Sequence, residues 1–262
     1  MWTFYDDLIA AVPADLRVAD CVIGLHWTLV RSRTVGLALT PFDAPRGCGP
    51  HGDAAVVGMS ERILGVPVRT LAELVKSWNP YEAALGLAAI NSAFNSPEQV
   101  EGMLGRRPAV EERSSAFAYY VDALRGKKVA VVGRFPDLQP LAELCDLTVL
   151  ERRPGPGDLP DAACEYVLPS QDYVFITATT LINKTLPRLL ELSRNAFTVL
   201  VGPSTPLAPL LFGHGIDGLS GSVVSDAAPL WQAVQVGAAR NVFDHGAQMV
   251  KVSKEEWQRA RR

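Results

Sequence analysis

The feature that most constrains this chain is a series of short apolar segments in its second half, each closing in a polar turn. KKVAVVGRF, DLTVLER, DYVFITATT and FTVLVGPS are four of them. The first is a β-branched run that ends in Gly133, the pattern of a strand buried in a parallel sheet. Helical segments fall between them: PDLQPLAELC before the second strand, and TTLINKTLPRLLELSRN before the fourth. Strand–helix alternation of this kind calls for an α/β fold with a doubly wound parallel sheet. GIDGLSGSVV reads as a further strand pair or turn, APLWQAVQVGAA as a helix, and KVSKEEWQRARR as a solvated amphipathic helix end.

The first hundred residues read differently. Residues 2–12 form an amphipathic helix ended by Pro13. VADCVIGLHWTLVRS and RTVGLALTPF alternate apolar and polar residues about Arg31, Ser32 and Arg33, which predicts a β-hairpin. Residues 41–60 are rich in glycine and proline and read as a loop, followed by two helical segments. Asn79 is placed to cap the second, with Pro80 at its first position. This half is α+β in pattern, and the polar residues 96–113 read as a linker. The expected organisation is therefore two domains, 1–100 and 101–262.

Composition narrows the function classes. With 262 residues and 48% hydrophobic content, the chain can build its core without disulfides. A net charge of −3 argues against a general nucleic-acid coat. Cys21, Cys48, Cys145 and Cys164 show no C-x-x-C spacing, which leaves out a zinc knuckle and a thioredoxin motif. The acidic start lacks the form of a signal peptide, and no apolar run reaches membrane-spanning length. A cytoplasmic chain with free thiols is expected. Its expected partners are a small-molecule or metal ligand and a second copy of itself in a homodimer, with neither nucleic acid nor membrane.

Four loops could carry chemistry. Gly133 enters a turn where the missing Cβ lets backbone approach a ligand, and a following helix N-terminus would offer N–H groups to an anion. Arg134, Phe135 and Pro136 replace the later glycines of G-x-G-x-x-G and would crowd a pyrophosphate; the other reading is a plain strand-to-helix turn. Glu151 lies 18 residues past Gly133, close to the spacing at which an acidic residue takes ribose hydroxyls. S-adenosylmethionine enzymes of similar topology use the same device; the other reading is a surface pair with Arg152 or Arg153. Thr177, Thr179 and Thr180 end the third strand, with Asn183 and Lys184 one helical turn on, and this set suits an oxyanion or a helix cap. Ser204 and Thr205 follow the fourth strand between two prolines, in a preorganised loop or simply a rigid turn. Cys48, His51 and Asp53 could hold a transition metal, though a lone Cys-x-x-His in a glycine-rich loop is usually incidental. His26 and His214 show no partner in the sequence.

Five stretches carry a resemblance: EAALGLAAINSAFN, KVAVVGRFP, LERRPGPGDLPDAACEYVLP, DYVFITATTLINKT and VGPSTPLAPLLF. Through them the chain resembles the DUF364 family, whose members are linked to heavy-metal chelation and carry a DUF4213 segment at the front. The resemblance spans roughly residues 5–240. It implies an N-terminal domain like that of enolase, a C-terminal Rossmann-like domain, and a ligand site in the cleft between them. The residues it carries over are Gly133, Phe135, Pro136, Glu151, Thr177, Thr179, Thr180, Asn183, Lys184, Ser204 and Thr205. Asn91 and Asn95 either face the cleft from the other domain or serve helix packing. The function expected is metal homeostasis through a small chelating ligand or a transition-metal ion. The alternative is an enzyme that uses S-adenosylmethionine, less readily NAD, to make or modify a metal-binding metabolite.

Overall fold

The computed structural model describes residues 2–41, 63–108, 115–136, 138–237 and 241–262. Among the described residues, ten strands lie in two sheets. β1 (Asp20–Ile23), β2 (Trp27–Arg31) and β3 (Val35–Leu39) form an antiparallel meander. The larger sheet holds β4 (Lys128–Val132), β5 (Asp146–Glu151), β6 (Leu159–Pro160), β7 (Tyr173–Thr177), β8 (Phe197–Val201), β9 (Gly218–Val224) and β10 (Ala247–Ser253). Its strand order is β10-β9-β8-β7-β4-β5-β6, parallel throughout except for β10. The chain fills one side of β4 with β5 and β6, then crosses to the other side for β7, β8 and β9. The strand order therefore reverses between β4 and β7.

Both faces of the central strands β4, β7 and β8 are dry, which explains why they read as apolar runs rather than alternating ones. Val129, Val131, Phe175, Val199 and Val201 point into a cluster with Phe117, Leu138 and Leu141 on one face. Ala130, Val132, Val174, Ile176 and Leu200 point the opposite way, into a second and larger core. That larger core takes in Leu168, Leu186 and Leu189, and also Phe4, Tyr5 and Leu8 from the N-terminal helix Trp2–Ala10. The Tyr5 hydroxyl donates to the Leu181 carbonyl at 3.0 Å across this contact.

The helix Pro80–Phe94 is the keystone of the N-terminal half. Asn79 caps it by accepting from the Tyr81 amide, and Pro80 opens it as expected. Every residue from Ala83 to Phe94 is buried, so the helix is apolar almost all round rather than amphipathic. β3 lies directly on it. A Cβ at Gly36 would sit 2.0 Å from the Ser92 nitrogen, so only glycine permits this approach.

Outside the loops that follow β4 and β7, the sequence expectations need correction at four places. The first hairpin segment is two strands, because the Gly24 amide donates to the Trp27 carbonyl at 2.9 Å and closes a turn between β1 and β2. The expected linker contains a helix, Pro97–Leu104, capped by Ser96 and stopped by Gly105 at φ 69°. The tail's first residues belong to β10, paired antiparallel with β9, before the helix Lys254–Ala260 begins. GIDGLSGSVV supplies one strand, β9, rather than a pair. Among the described residues, no helix is long and apolar enough to cross a membrane.

Candidate functional site

Because β4, β5, β7 and β8 are parallel and adjacent, the loops that follow them open on one edge of the sheet. All four sequence-derived loops are therefore brought together, around the point where the strand order reverses. Ligands of open α/β sheets bind outside the carboxyl ends of the strands at such a point.

At the end of β4, Gly133 has φ 101°, a conformation that a side chain strains. A Cβ there would also lie 2.8 Å from Thr177 Cγ2, so the β4 and β7 loops are in direct apposition. The helix expected after this turn is a single turn, Gln139–Ala142, with no side-chain cap. It is too short to present the anion site that the sequence suggested. Phe135 turns inward and packs edge-on against Phe117 at 5.3 Å, and Pro136 is exposed.

Glu151, at the end of β5, is committed to backbone. One carboxylate oxygen accepts from the Arg134 amide at 2.9 Å; the other accepts from the Arg152 amide at 2.8 Å and the Arg153 amide at 3.3 Å. It staples the β4 loop to the β5 loop, and among the described residues no guanidinium pairs with it. A second staple, unmarked in the sequence, lies beside it. The Arg134 guanidinium donates to Asp158, which also accepts from the Gly155 amide at 2.9 Å. The Asp158 side chain is only 6% exposed, and Arg134 beside it holds its carboxyl below the usual range.

The β7 loop departs most from its sequence reading. Residues 179–195 do not form one helix. Thr177 Oγ1 accepts from the Thr179 amide and opens a 3-10 turn, Ala178–Leu181; Thr180 Oγ1 donates back to the Thr177 carbonyl at 2.6 Å. Asn183 Oδ1 accepts from the Thr185 amide at 3.1 Å, a local turn that competes with helix. Lys184 then takes φ 67°, and a new helix, Leu186–Leu192, starts with Pro187 in its first turn. Lys184 has the one positive φ outside glycine among the described residues.

The Lys184 side chain is 5% exposed. Its ammonium donates to the Ile182 carbonyl at 2.6 Å, and among the described residues no carboxylate pairs with it. Burial pushes its pKa down to about 8. In the same loop Thr177, Thr179 and Asn183 are half-buried, and Thr180 is buried.

Ser204 and Thr205 sit at the seam with the N-terminal half, and both are buried. Ser204 Oγ accepts from the Leu39 amide at 2.9 Å. Asn91 donates to the Leu37 and Ser204 carbonyls at 2.8 and 2.9 Å. Asn95 donates to the Thr205 and Ser222 carbonyls and accepts from the Leu207 amide. The two asparagines thus serve packing, lashing the β8 loop to the helix Pro80–Phe94. Two atoms of this lattice, Asn91 Oδ1 and Thr205 Oγ1, are buried with no partner among the described residues.

The remaining candidates lie elsewhere. His214 pairs with Asp7 at 3.2 Å and packs edge-on against Phe4. His26 is in the β1–β2 turn, where its carbonyl accepts from the Thr40 amide. Cys48, His51 and Asp53 fall outside the described residues. Among the described residues, no three His, Cys, Asp or Glu side chains come together as a metal site.

Comparison with known proteins gives consistent relatives. The DUF364 family profile, described as "Putative heavy-metal chelation", matches residues 115–253. The DUF4213 profile, with the same description, matches residues 5–94. An uncharacterized protein of Methanocaldococcus jannaschii is 29% identical over 241 residues, covering 84% of this chain and 83% of that protein. A crystal structure of a DUF364 protein of unknown function from Desulfitobacterium hafniense is 40% identical with a TM-score of 0.86, covering 97% of this chain and 99% of that one. A second DUF364 structure, of a protein of unknown function from Pyrococcus horikoshii, is alike in fold, with a TM-score of 0.74 at 20% identity. It covers 95% of this chain and 97% of that one.

Proposed function

The chain belongs to the DUF364 family, and on that premise we propose that it holds a small ligand of heavy-metal handling at the carboxyl edge of its large sheet. The observation that carries this reading is the convergence of the β4, β5, β7 and β8 loops where the strand order reverses. On this reading residues 101–262 form a Rossmann-like ligand-binding domain, in keeping with a strand order that runs outward in both directions from β4. Residues 1–100 form the domain like the N-terminal part of enolase and wall the cleft from the other side. The Asn91 and Asn95 lattice fixes that wall, so the site is preorganised rather than assembled on binding.

The residues of the site divide by role. Thr177, Thr179, Asn183 and Lys184 offer polar groups to the ligand. Gly133 leaves room beside Thr177. Glu151, Ser204 and Phe135 hold the loops in place. A nucleotide reading, with Glu151 on ribose hydroxyls, requires three backbone amides to give up the carboxylate. Losing hydrogen bonds to a charged acceptor is costly. Ligand binding therefore ranks ahead of S-adenosylmethionine or NAD chemistry.

Native mass spectrometry of freshly purified protein, followed by a thermal-shift panel of metal salts, metal–chelator complexes and nucleotides, tests the reading. A ligand held only by the folded state raises the melting temperature, increasingly so as its concentration exceeds its Kd. The expected result is a shift with a chelator or its complex that Thr179→Val abolishes. A panel in which only nucleotides shift the protein, or in which nothing does, would sink it.

A further inference from the structure

The donors on this edge do not suit a bare heavy-metal cation. Soft and borderline metals take thiolate or imidazole ligands, and hard ones take carboxylates. The β7 loop offers hydroxyls, one amide and an ammonium, and the carboxylates nearby, Glu151 and Asp158, are already held by backbone amides and Arg134. Lys184 adds a repulsive charge. Its ammonium has three N–H donors and, among the described residues, one protein acceptor, the Ile182 carbonyl.

A buried charge is normally paired, because leaving it alone in a poorly polarisable interior is unfavourable. Lys184 is buried without a counter-charge among the described residues, on a backbone conformation that strains a side chain. Strain and an unpaired charge at one residue are retained where the surrounding structure holds them for a purpose.

Resting on the reading of this edge as a small-ligand site, we propose that the ligand presents an anionic oxygen group, a carboxylate or phosphate, and that Lys184 is its counter-charge. The protein then takes a heavy metal only as an anionic complex, or takes the free chelator, and excludes the naked cation. Thr177 Oγ1 and Thr179 Oγ1 share a hydrogen bond at 3.1 Å, which uses one hydroxyl proton and leaves the other for the ligand's oxygens. Burial of the ammonium lowers the lysine pKa, and an anion beside it would raise it again.

Calorimetric titration at pH 7 with four probes tests this: citrate, the one-to-one nickel–citrate complex, inorganic phosphate and nickel chloride. The wild type is expected to bind at least one anionic probe and not nickel chloride alone. Lys184→Met should weaken the anionic probe at least tenfold. Lys184→Gln, which keeps a donor for the Ile182 carbonyl and drops the charge, should do the same. Binding of nickel chloride that Lys184→Met leaves unchanged or strengthens would overturn the inference while the site itself stands. So would anion binding that both lysine variants retain but Thr179→Val loses. If the wild type binds none of the four, the inference and the reading beneath it fall together.

Discussion

Replacing Lys184 with methionine should stabilise the protein, which is unusual for a change at a buried position. Methionine keeps the length and volume of the side chain and removes an ammonium that has no carboxylate partner among the described residues. The pKa of the lysine falls from its ordinary 10.5 to about 8, and at roughly 1.4 kcal/mol per pH unit that is about 3 kcal/mol of unfavourable burial. For a chain of this size, about 3 kcal/mol corresponds to a rise in Tm of roughly 6–12 °C. The pH dependence is the sharper test. Below about pH 8 the lysine is protonated in folded and unfolded chains alike, and the wild type bears the whole cost. Between about 8 and 10.5 the unfolded chain keeps a proton that the folded chain has released, so the wild type gains on the variant as pH rises. Above that range the difference vanishes. Burial also raises the pKa of Tyr5, Tyr120 and Cys164, which lowers stability at high pH, but equally in both proteins. Urea unfolding of both proteins from pH 7 to 10.5, compared as a difference, isolates the lysine. A variant no more stable than the wild type at pH 7, or a difference that stays flat across the range, would refute the claim that this charge is buried unpaired.

Other positions give independent checks. Gly133→Ala should cost about 1–3 kcal/mol, because it forces a side chain into φ 101° and against Thr177, and chemical denaturation would show it. Asn95→Ala removes the acceptor of the buried Leu207 amide and a donor to the Thr205 and Ser222 carbonyls and should cost about 2–4 kcal/mol, read from the urea midpoint. The Cys164 thiol is buried and its pKa pushed up to about 11, so at pH 8 a thiol reagent should modify it no faster than the protein opens. The Asp158 carboxyl, held low by Arg134, should titrate in its NMR spectrum below the ordinary aspartate range and return toward it in Arg134→Ala. Stability from that pair is present above the ordinary carboxylate pKa and lost as the pH falls through the lowered one.

The sequence by itself determined the parts that depend on local chemistry. The valine- and isoleucine-rich runs at Lys128–Val132, Tyr173–Thr177 and Phe197–Val201 are strands because only a dry, two-sided sheet suits them. Asn79 and Pro80 set the start of the long helix, and the order of strands and helices called for a parallel sheet whose loops share an edge. Even the missed helix at Pro97–Leu104 had its marks, a serine cap before proline and a glycine stop, hidden by the polarity of its exposed face. Tertiary structure decided which polar side chains are free to meet a ligand. Glu151 sits at ribose spacing, yet its oxygens are taken by amides that folding brings from two loops. Asn91, Asn95 and Ser204 look like site residues in one dimension, and they become lashings because β3 and the β8 loop leave backbone groups that need partners. Lys184 shows the division most clearly. Periodicity placed it on a helix, where its head would reach water; the turn at Asn183 and the restart at Pro187 swing it into left-handed backbone and bury its charge. Spacing along a chain fixes which residue types can come near one another. Whether a charge ends up solvated, paired or waiting for a partner depends on what the rest of the fold packs around it.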